Sequence, residues 1–88
     1  MIVHLFAVRD TKADAFMSPF TMRTTAEAIR AFTQSVNDPS TQLYKTPEDF
    51  ILYELADYNE ATGEISPIQP IKNVISAFSV KEQHDAQR

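Results

Sequence analysis

The fold is decided by the stretch TTAEAIRAFTQSVNDP, residues 24–39. Thr24 and Glu27 have the spacing of a capping box, in which a threonine hydroxyl accepts a hydrogen bond from the N3 amide and the glutamate reaches back. Ile29, Phe32 and Val36 recur at helical spacing and predict one apolar face. The polar side chains between them predict a face turned to water. This segment is therefore predicted to be an amphipathic helix lying on the core.

Proline marks where this helix ends and where a second helical turn begins. Asp38 precedes Pro39, and the residue before a proline is pushed out of the α region, so the helix is expected to end near Asn37. Thr46-Pro47-Glu48-Asp49 repeats the pattern of an N-cap followed by proline at the first helical position. The second pattern predicts a single helical turn.

Four strands are predicted around these helices, in residues 2–9, 15–22, 50–58 and 64–68. The first has apolar residues on both faces, which is typical of a central strand. Pro19 cannot donate to a ladder, so the second strand is expected at an edge or with a bulge. Pro67 and Pro70 confine the fourth strand to an edge. Gly63, the only glycine, is expected to take a left-handed conformation in the preceding turn.

Residues 71–80 allow two interpretations. Ile71, Val74, Ile75 and Phe78 have helical spacing, whereas Val74, Phe78 and Val80 also fit a strand. We favour a short helix here. The predicted fold is α+β, a small antiparallel sheet of about four strands with one main helix on one face. The order is β-β-α-β-β plus a short C-terminal element, with a single domain over residues 1–80 and a polar tail over residues 81–88.

Composition limits the chemistry and the location of the protein. The chain has 88 residues, which is enough for one domain with a modest core. It has no cysteine, which excludes disulfides, thiolate metal sites and cysteine nucleophiles. It shows neither a signal peptide nor an apolar run of about 20 residues that could span a bilayer. A soluble intracellular protein with no membrane contact is therefore expected.

The net charge of −4 is unevenly distributed. Residues 1–45 carry five basic and four acidic side chains, while residues 46–88 carry three basic and eight acidic ones. The acidic half would repel phosphate, which argues against a wrapped DNA duplex. The first half, with its interleaved aromatics, leaves contact with a single strand open.

No catalytic, metal or cofactor site is predicted. His4 has no companion in its own segment, and a hydrolytic or metal site needs several converging groups. Six acidic residues of the second half match no calcium loop and predict a solvated face; they are Glu48, Asp49, Glu54, Asp57, Glu60 and Glu64. A single glycine excludes a glycine-rich phosphate loop. The sequence therefore predicts a protein that is not an enzyme.

A stripe of aromatic and basic residues is the one candidate binding site. It consists of Arg9, Lys12, Phe16, Phe20 and Arg23. Aromatic rings stack on unpaired bases while cations contact phosphates, and a sheet face can present both. The alternative interpretation is that the two phenylalanines belong to the core and pack beneath the helix.

Several short motifs occur along the chain in a fixed order and spacing: Lys12-Ala13, Phe16, Pro19-Phe20, residues 27–32, residues 36–39, residues 47–50 and Thr62-Gly63. Together they resemble the small nonstructural protein of gokushovirus-type microviruses, which are single-stranded DNA phages. The resemblance covers about residues 5–68. The family often has glycine where this chain has Asp14, so the first turn is expected to differ in shape.

The resemblance implies a nonstructural protein made in the host bacterial cytoplasm. Two functions remain open. The first is a nonenzymatic accessory protein that contacts single-stranded DNA or the replication machinery at the switch to single-strand synthesis and packaging. The second is an oligomeric adaptor in phage assembly that contacts proteins and has no direct contact with DNA. A homo-oligomer, most simply a dimer, is expected because edge strands could pair across a two-fold axis.

Overall fold

The computed structural model describes residues 1–82. Five strands form one sheet: β1 (Ile2–Asp10), β2 (Ala15–Phe16), β3 (Phe20–Met22), β4 (Phe50–Asn59) and β5 (Ile65–Ser76). Three helices accompany it: α1 (Thr25–Val36), α2 (Gln42–Lys45) and α3 (Ala77–Val80), with a 3₁₀ turn at Pro47–Asp49. The predicted α+β class is confirmed.

All strand pairs are antiparallel, and the order across the sheet is β2, β1, β4, β5. β3 also pairs with β1, along the same edge as β2. β1 is therefore central and β5 is an edge strand, as the sequence predicts. The predicted strand over residues 15–22 is divided into β2 and β3 around Pro19, which has no amide hydrogen to give to β1.

The ends of α1 follow the sequence signals. The Thr24 hydroxyl accepts a hydrogen bond from the Glu27 amide at 3.1 Å. The helix ends at Val36, with Asn37 as its C-cap, directly before Asp38 and Pro39. The reciprocal bond, in which the Thr24 amide would donate to the Glu27 side chain, is not among the hydrogen bonds of residues 1–82. Only half of the predicted capping box is therefore formed.

One apolar cluster joins the three helices to a single face of the sheet. β1 and β4 contribute Phe6, Val8, Phe50 and Leu52, and the helices contribute Ala28, Phe32, Val36, Leu43 and Ala77. Residues 2–5, 56–59 and 65–70 do not belong to it. The molecule is elongated, with extents of 51, 25 and 20 Å. The helices therefore cover one end of one face and leave the rest of the sheet uncovered by this core.

The favoured helix over residues 71–80 is wrong for its first six residues. β5 continues to Ser76, and only Ala77–Val80 is helical. β4 is ten residues long, and the backbone groups on its side away from β1 need hydrogen-bond partners. Pairing with β4 therefore overrides the helical spacing of residues 71–76. A register shift near Leu52 places both Val74 and Ile75 against the core, which accounts for a spacing that resembles a helix.

The predicted polar tail begins with residues that are held in place. Asn37 donates a side-chain hydrogen bond to the Val80 carbonyl at 3.0 Å and accepts one from the Glu82 amide at 2.7 Å. The Lys81 ammonium lies 4.2 Å from the centre of the Tyr44 ring. The rest of the predicted tail, residues 83–88, lies outside the described residues. Within residues 1–82 no helix is both long enough and apolar enough to cross a membrane.

Candidate functional site

The face of the sheet opposite the helices carries side chains that do not belong to the apolar core. Val8 and Leu52 point into the core, so their neighbours Arg9 and Tyr53 point to the opposite face. In the register, Arg9 lies beside both Phe16 of β2 and Ile51 of β4. We call this surface the open face.

Arg9, Phe16 and Tyr53 form a contact group on the open face, here called the Arg9–Phe16–Tyr53 cluster. The Phe16 and Tyr53 rings meet edge to face, with their centroids 5.7 Å apart. The Arg9 guanidinium carbon lies 5.9 Å from the centre of the Phe16 ring. Arg9 also donates to the Asp14 carboxylate, and this hydrogen bond is the main reason why the pKa of Arg9 is raised. Phe16 is 45% exposed, so one aromatic ring of the cluster is available to a partner.

The strand positions of the open face in β1 and β4 carry no carboxylate. They are Val3, Leu5, Ala7 and Arg9 in β1, and Ile51, Tyr53, Ala56 and Tyr58 in β4. The two carboxylates of β4, Glu54 and Asp57, turn to the helix side instead. These strand positions are therefore apolar and aromatic, with the Arg9–Asp14 ion pair at one end of the face, although the whole chain is acidic.

The structure divides the predicted aromatic–basic stripe between two faces. Arg9 and Phe16 lie together on the open face, whereas Phe20 stacks on Phe6 at 5.9 Å on the helix side. Lys12 is exposed in the turn between β1 and β2, where its amide donates to Asp10. Arg23 is exposed just before α1. The stripe is therefore not one surface.

Sequence reasoning missed Tyr53 as a member of the cluster. Its position two residues from Ile51, alternating with the buried Leu52, indicates which face of β4 it occupies. The alternation does not indicate which strand lies beside β4. That pairing is long-range, since Ala7 is the partner of Tyr53.

An apolar groove lies on the helix side, between β3, α1 and α2. Its volume is about 630 Å³. Most of its lining is apolar and comes from Met17, Phe20, Met22, Phe32, Leu43 and Phe50. Since apolar side chains make up most of its lining among residues 1–82, the groove offers mainly packing surface.

A third feature lies on the helix side of the sheet, outside the apolar cluster. His4 Nδ1 is 3.0 Å from Asp57 Oδ1 and 3.1 Å from Glu54 Oε2. We call this group the His4–Glu54–Asp57 cluster. Among residues 1–82 it is the one grouping of three or more side chains that could together hold a metal ion. His4 has no companion in its own segment, as the sequence indicates, but β4 brings it two, Asp57 and Glu54, which lie 53 and 50 residues further along the chain.

A comparison with protein families matches residues 3–80 to the family described as Phage ORF5 protein. The chain belongs to this family. The Phage ORF5 match covers every strand but the first residue of β1, all three helices, the open face and the His4–Glu54–Asp57 cluster. Comparisons with curated proteins and with solved structures give no significant match.

Membership of the Phage ORF5 family establishes that this is a phage protein, and it is compatible with the resemblance to gokushovirus-type proteins. The family description states no activity. What the Phage ORF5 protein does must therefore be argued from the surfaces described above.

Proposed function

We propose that this protein is a nonenzymatic phage accessory protein that binds single-stranded DNA on the open face of its sheet. It would act in the cytoplasm of the infected bacterium, at the switch to single-strand synthesis and packaging. The observation that carries the proposal is the Arg9–Phe16–Tyr53 cluster, an exposed aromatic ring with a guanidinium beside it on a helix-free sheet face.

The chemistry of the cluster suits an unpaired nucleotide. The exposed Phe16 ring can stack on a base, and such stacking contributes about 1–3 kcal/mol per base. Asp14 holds the Arg9 guanidinium near the ring, and an arginine has five N–H donors, so others remain for a phosphate. A base inside a duplex has no free face to stack on. The cluster therefore favours a single strand.

The distribution of charged side chains also favours the open face as the surface that binds DNA. The strand positions of β1 and β4 on the open face lack carboxylates, so a phosphate chain crossing them meets little repulsion. Among the described acidic side chains of the second half, Glu60 lies in the turn between β4 and β5, and Glu54 and Asp57 lie on the helix side. This distribution favours a short contact with a single strand over wrapping by a duplex.

Fluorescence anisotropy with a labelled oligothymidylate tests the proposal. We expect binding that weakens as salt rises, because phosphate contact releases counterions. Phe16→Ala should weaken binding by about 5- to 100-fold, the loss of one stacked base. Arg9→Gln should reduce the dependence of affinity on salt. Phe78→Ala is the matched control, because Phe78 is 62% exposed on α3, on the helix side, and should leave affinity unchanged.

Two outcomes would contradict the proposal. One is no binding of wild-type protein at low salt and at concentrations of tens of micromolar. The other is equal loss of affinity in Phe16→Ala and Phe78→Ala, which would mean that the open face has no special part in binding.

The same open face could instead join two copies of the chain, and this is the alternative adaptor function. Ile65, 54% exposed at the start of β5, and Phe16 place apolar surface where a second sheet could pack. Light scattering distinguishes the two functions. A dimer that Ile65→Lys converts to monomer, in a protein that does not bind oligothymidylate, would replace the DNA proposal with the adaptor.

A further inference from the structure

We propose that the His4–Glu54–Asp57 cluster is a binding site for a divalent transition-metal ion, with Zn²⁺ as the best match. The three ligand atoms lie within 4.8 Å of one another. They come from two adjacent strands in the middle of the sheet, so their backbones are held by ladder hydrogen bonds rather than by a loop. This site is separate from the open face and does not depend on DNA binding.

A β-bulge builds the cluster. His4 pairs with Asp57 and Phe6 pairs with Glu54, so the register of β1 and β4 shifts and Leu55 has no partner in β1. In a regular strand, residues three apart point to opposite faces. The extra residue turns Glu54 and Asp57 to the same face, and both then reach one imidazole. Bulges are common beside functional sites, where they redirect a side chain.

The buried carboxyl group of Glu54 needs a polar partner. Glu54 is 6% exposed, and a buried carboxylate is costly unless it is paired. Lys72 lies opposite Glu54 in the register of β4 and β5, yet the described residues include no ion pair between them. Within residues 1–82 the ion-pair partner of Glu54 is His4. The fold therefore places the buried Glu54 carboxylate against an imidazole nitrogen, although a lysine lies opposite it on the neighbouring strand.

Both carboxylates lie against the same atom, His4 Nδ1, whereas one divalent ion can bind all three groups. Zinc lies about 2.0–2.2 Å from nitrogen and oxygen ligands, so in a tetrahedral site these ligand atoms are about 3.3 Å apart. The observed separations of 3.0 and 3.1 Å from His4 Nδ1 need only a small expansion. Two carboxylates would also neutralise the charge of the ion.

The types of ligand atom and their exposure to solvent indicate which ion this site would bind. Imidazole suits zinc and its neighbours, while calcium and magnesium prefer all-oxygen sites with more ligands. The side chains of Asp57 and His4 are 48% and 31% exposed, so an ion can enter from solvent. Three protein ligands leave a fourth position for water.

The test uses the full chain, freed of metal by a chelator, with Zn²⁺ for affinity and Co²⁺ as a spectroscopic probe. We expect one site per chain, with tetrahedral Co²⁺ absorption that Zn²⁺ displaces. We also expect saturating Zn²⁺ to raise Tm by about 10 °C. Glu54→Gln and Asp57→Asn should each weaken Zn²⁺ binding by at least about 10-fold, since each removes an anionic ligand.

His84→Ala is the matched control, because His84 is the only other histidine in the chain. It should leave the Co²⁺ spectrum and the Zn²⁺ affinity unchanged. Asp57→Asn keeps the experiment informative if Glu54→Gln fails to fold, since Asp57 is partly exposed. The proposal is overturned if about 100 µM Zn²⁺ leaves the Tm of the wild type unchanged, or if Asp57→Asn binds as tightly as the wild type. It is also overturned if His84→Ala alone abolishes binding.

Discussion

At the scale of single residues, two positions adopt the left-handed conformation, and they do so for different reasons. Gly63 has φ of +78°, as predicted for the turn between β4 and β5. Asp14 has φ of +57°, at the position where the gokushovirus-type family often has glycine. Aspartate is among the residues that tolerate this conformation best, and here its carboxylate also pairs with Arg9. The backbone of Asp14 therefore takes the left-handed conformation that glycine adopts most readily.

Gly63→Ala should destabilise the protein by about 1–2 kcal/mol. A Cβ at this position meets no atom within 4 Å, so the cost comes from the left-handed backbone alone. Chemical denaturation measures it. Ala61→Gly, in the same turn, is a control for flexibility. A Gly63→Ala variant as stable as the wild type would show that the turn adopts another conformation in solution.

Asp38 gives a prediction about pH. The Ser40 amide and hydroxyl donate to its carboxylate, and these bonds hold the pKa of Asp38 below its ordinary value of 3.8. A carboxyl whose pKa is lower in the folded state stabilises that state at neutral pH. The contribution is lost as pH falls from about 3.8 through the folded pKa. The Ser40 amide resonance should follow this titration, with a midpoint below 3.8. A midpoint at or above that value would mean that the bonds do not persist in solution.

At the scale of elements, local sequence signals determine where α1 begins and ends, whereas pairing between distant segments determines the length of β5. α1 begins and ends at the residues that its threonine and proline indicate, because these signals act within one turn. β5 is longer than predicted, because β4 supplies hydrogen-bond partners that no local pattern reveals. The short α2 was not predicted. The local signal for its start is the N-cap Thr41, whose hydroxyl accepts a hydrogen bond from the Tyr44 amide at 3.1 Å.

Phe32→Ala tests the face of α1 that packs on the sheet. Phe32 is 3% exposed within the apolar cluster, so its loss should destabilise the protein by about 3–5 kcal/mol. Gln34→Ala, on the exposed side of the same helix, should change stability by less than about 0.5 kcal/mol. Urea denaturation measures both variants. A loss below about 1 kcal/mol for Phe32→Ala would contradict this assignment of the buried face.

At the scale of the whole molecule, the two proposed sites lie on opposite faces of one sheet. The Arg9–Phe16–Tyr53 cluster occupies the open face, and the His4–Glu54–Asp57 cluster lies on the helix side beyond the apolar core. They share no residue. A phage protein of this size can therefore present two independent surfaces without a second domain.

This placement on opposite faces predicts that the two binding events are independent, since sites without shared partners usually behave additively. Phe16→Ala should bind Zn²⁺ with wild-type affinity, and Glu54→Gln should bind oligothymidylate within about twofold of wild type. Paired titrations, each with and without the other ligand, measure the coupling. A change of about 10-fold in either affinity would show that the sheet links the two sites.

The sequence by itself determined the fold class, the limits of α1, the central position of β1 and the left-handed turn at Gly63. These features depend on contacts between near neighbours or on the alternation along one strand. Only the tertiary structure decided that Phe16 and Phe20 lie on opposite faces, that residues 71–76 extend a strand, and that His4 meets Glu54 and Asp57. The reason is that register and bulges are set by pairing between distant segments, and one extra residue reverses the face that every later side chain occupies.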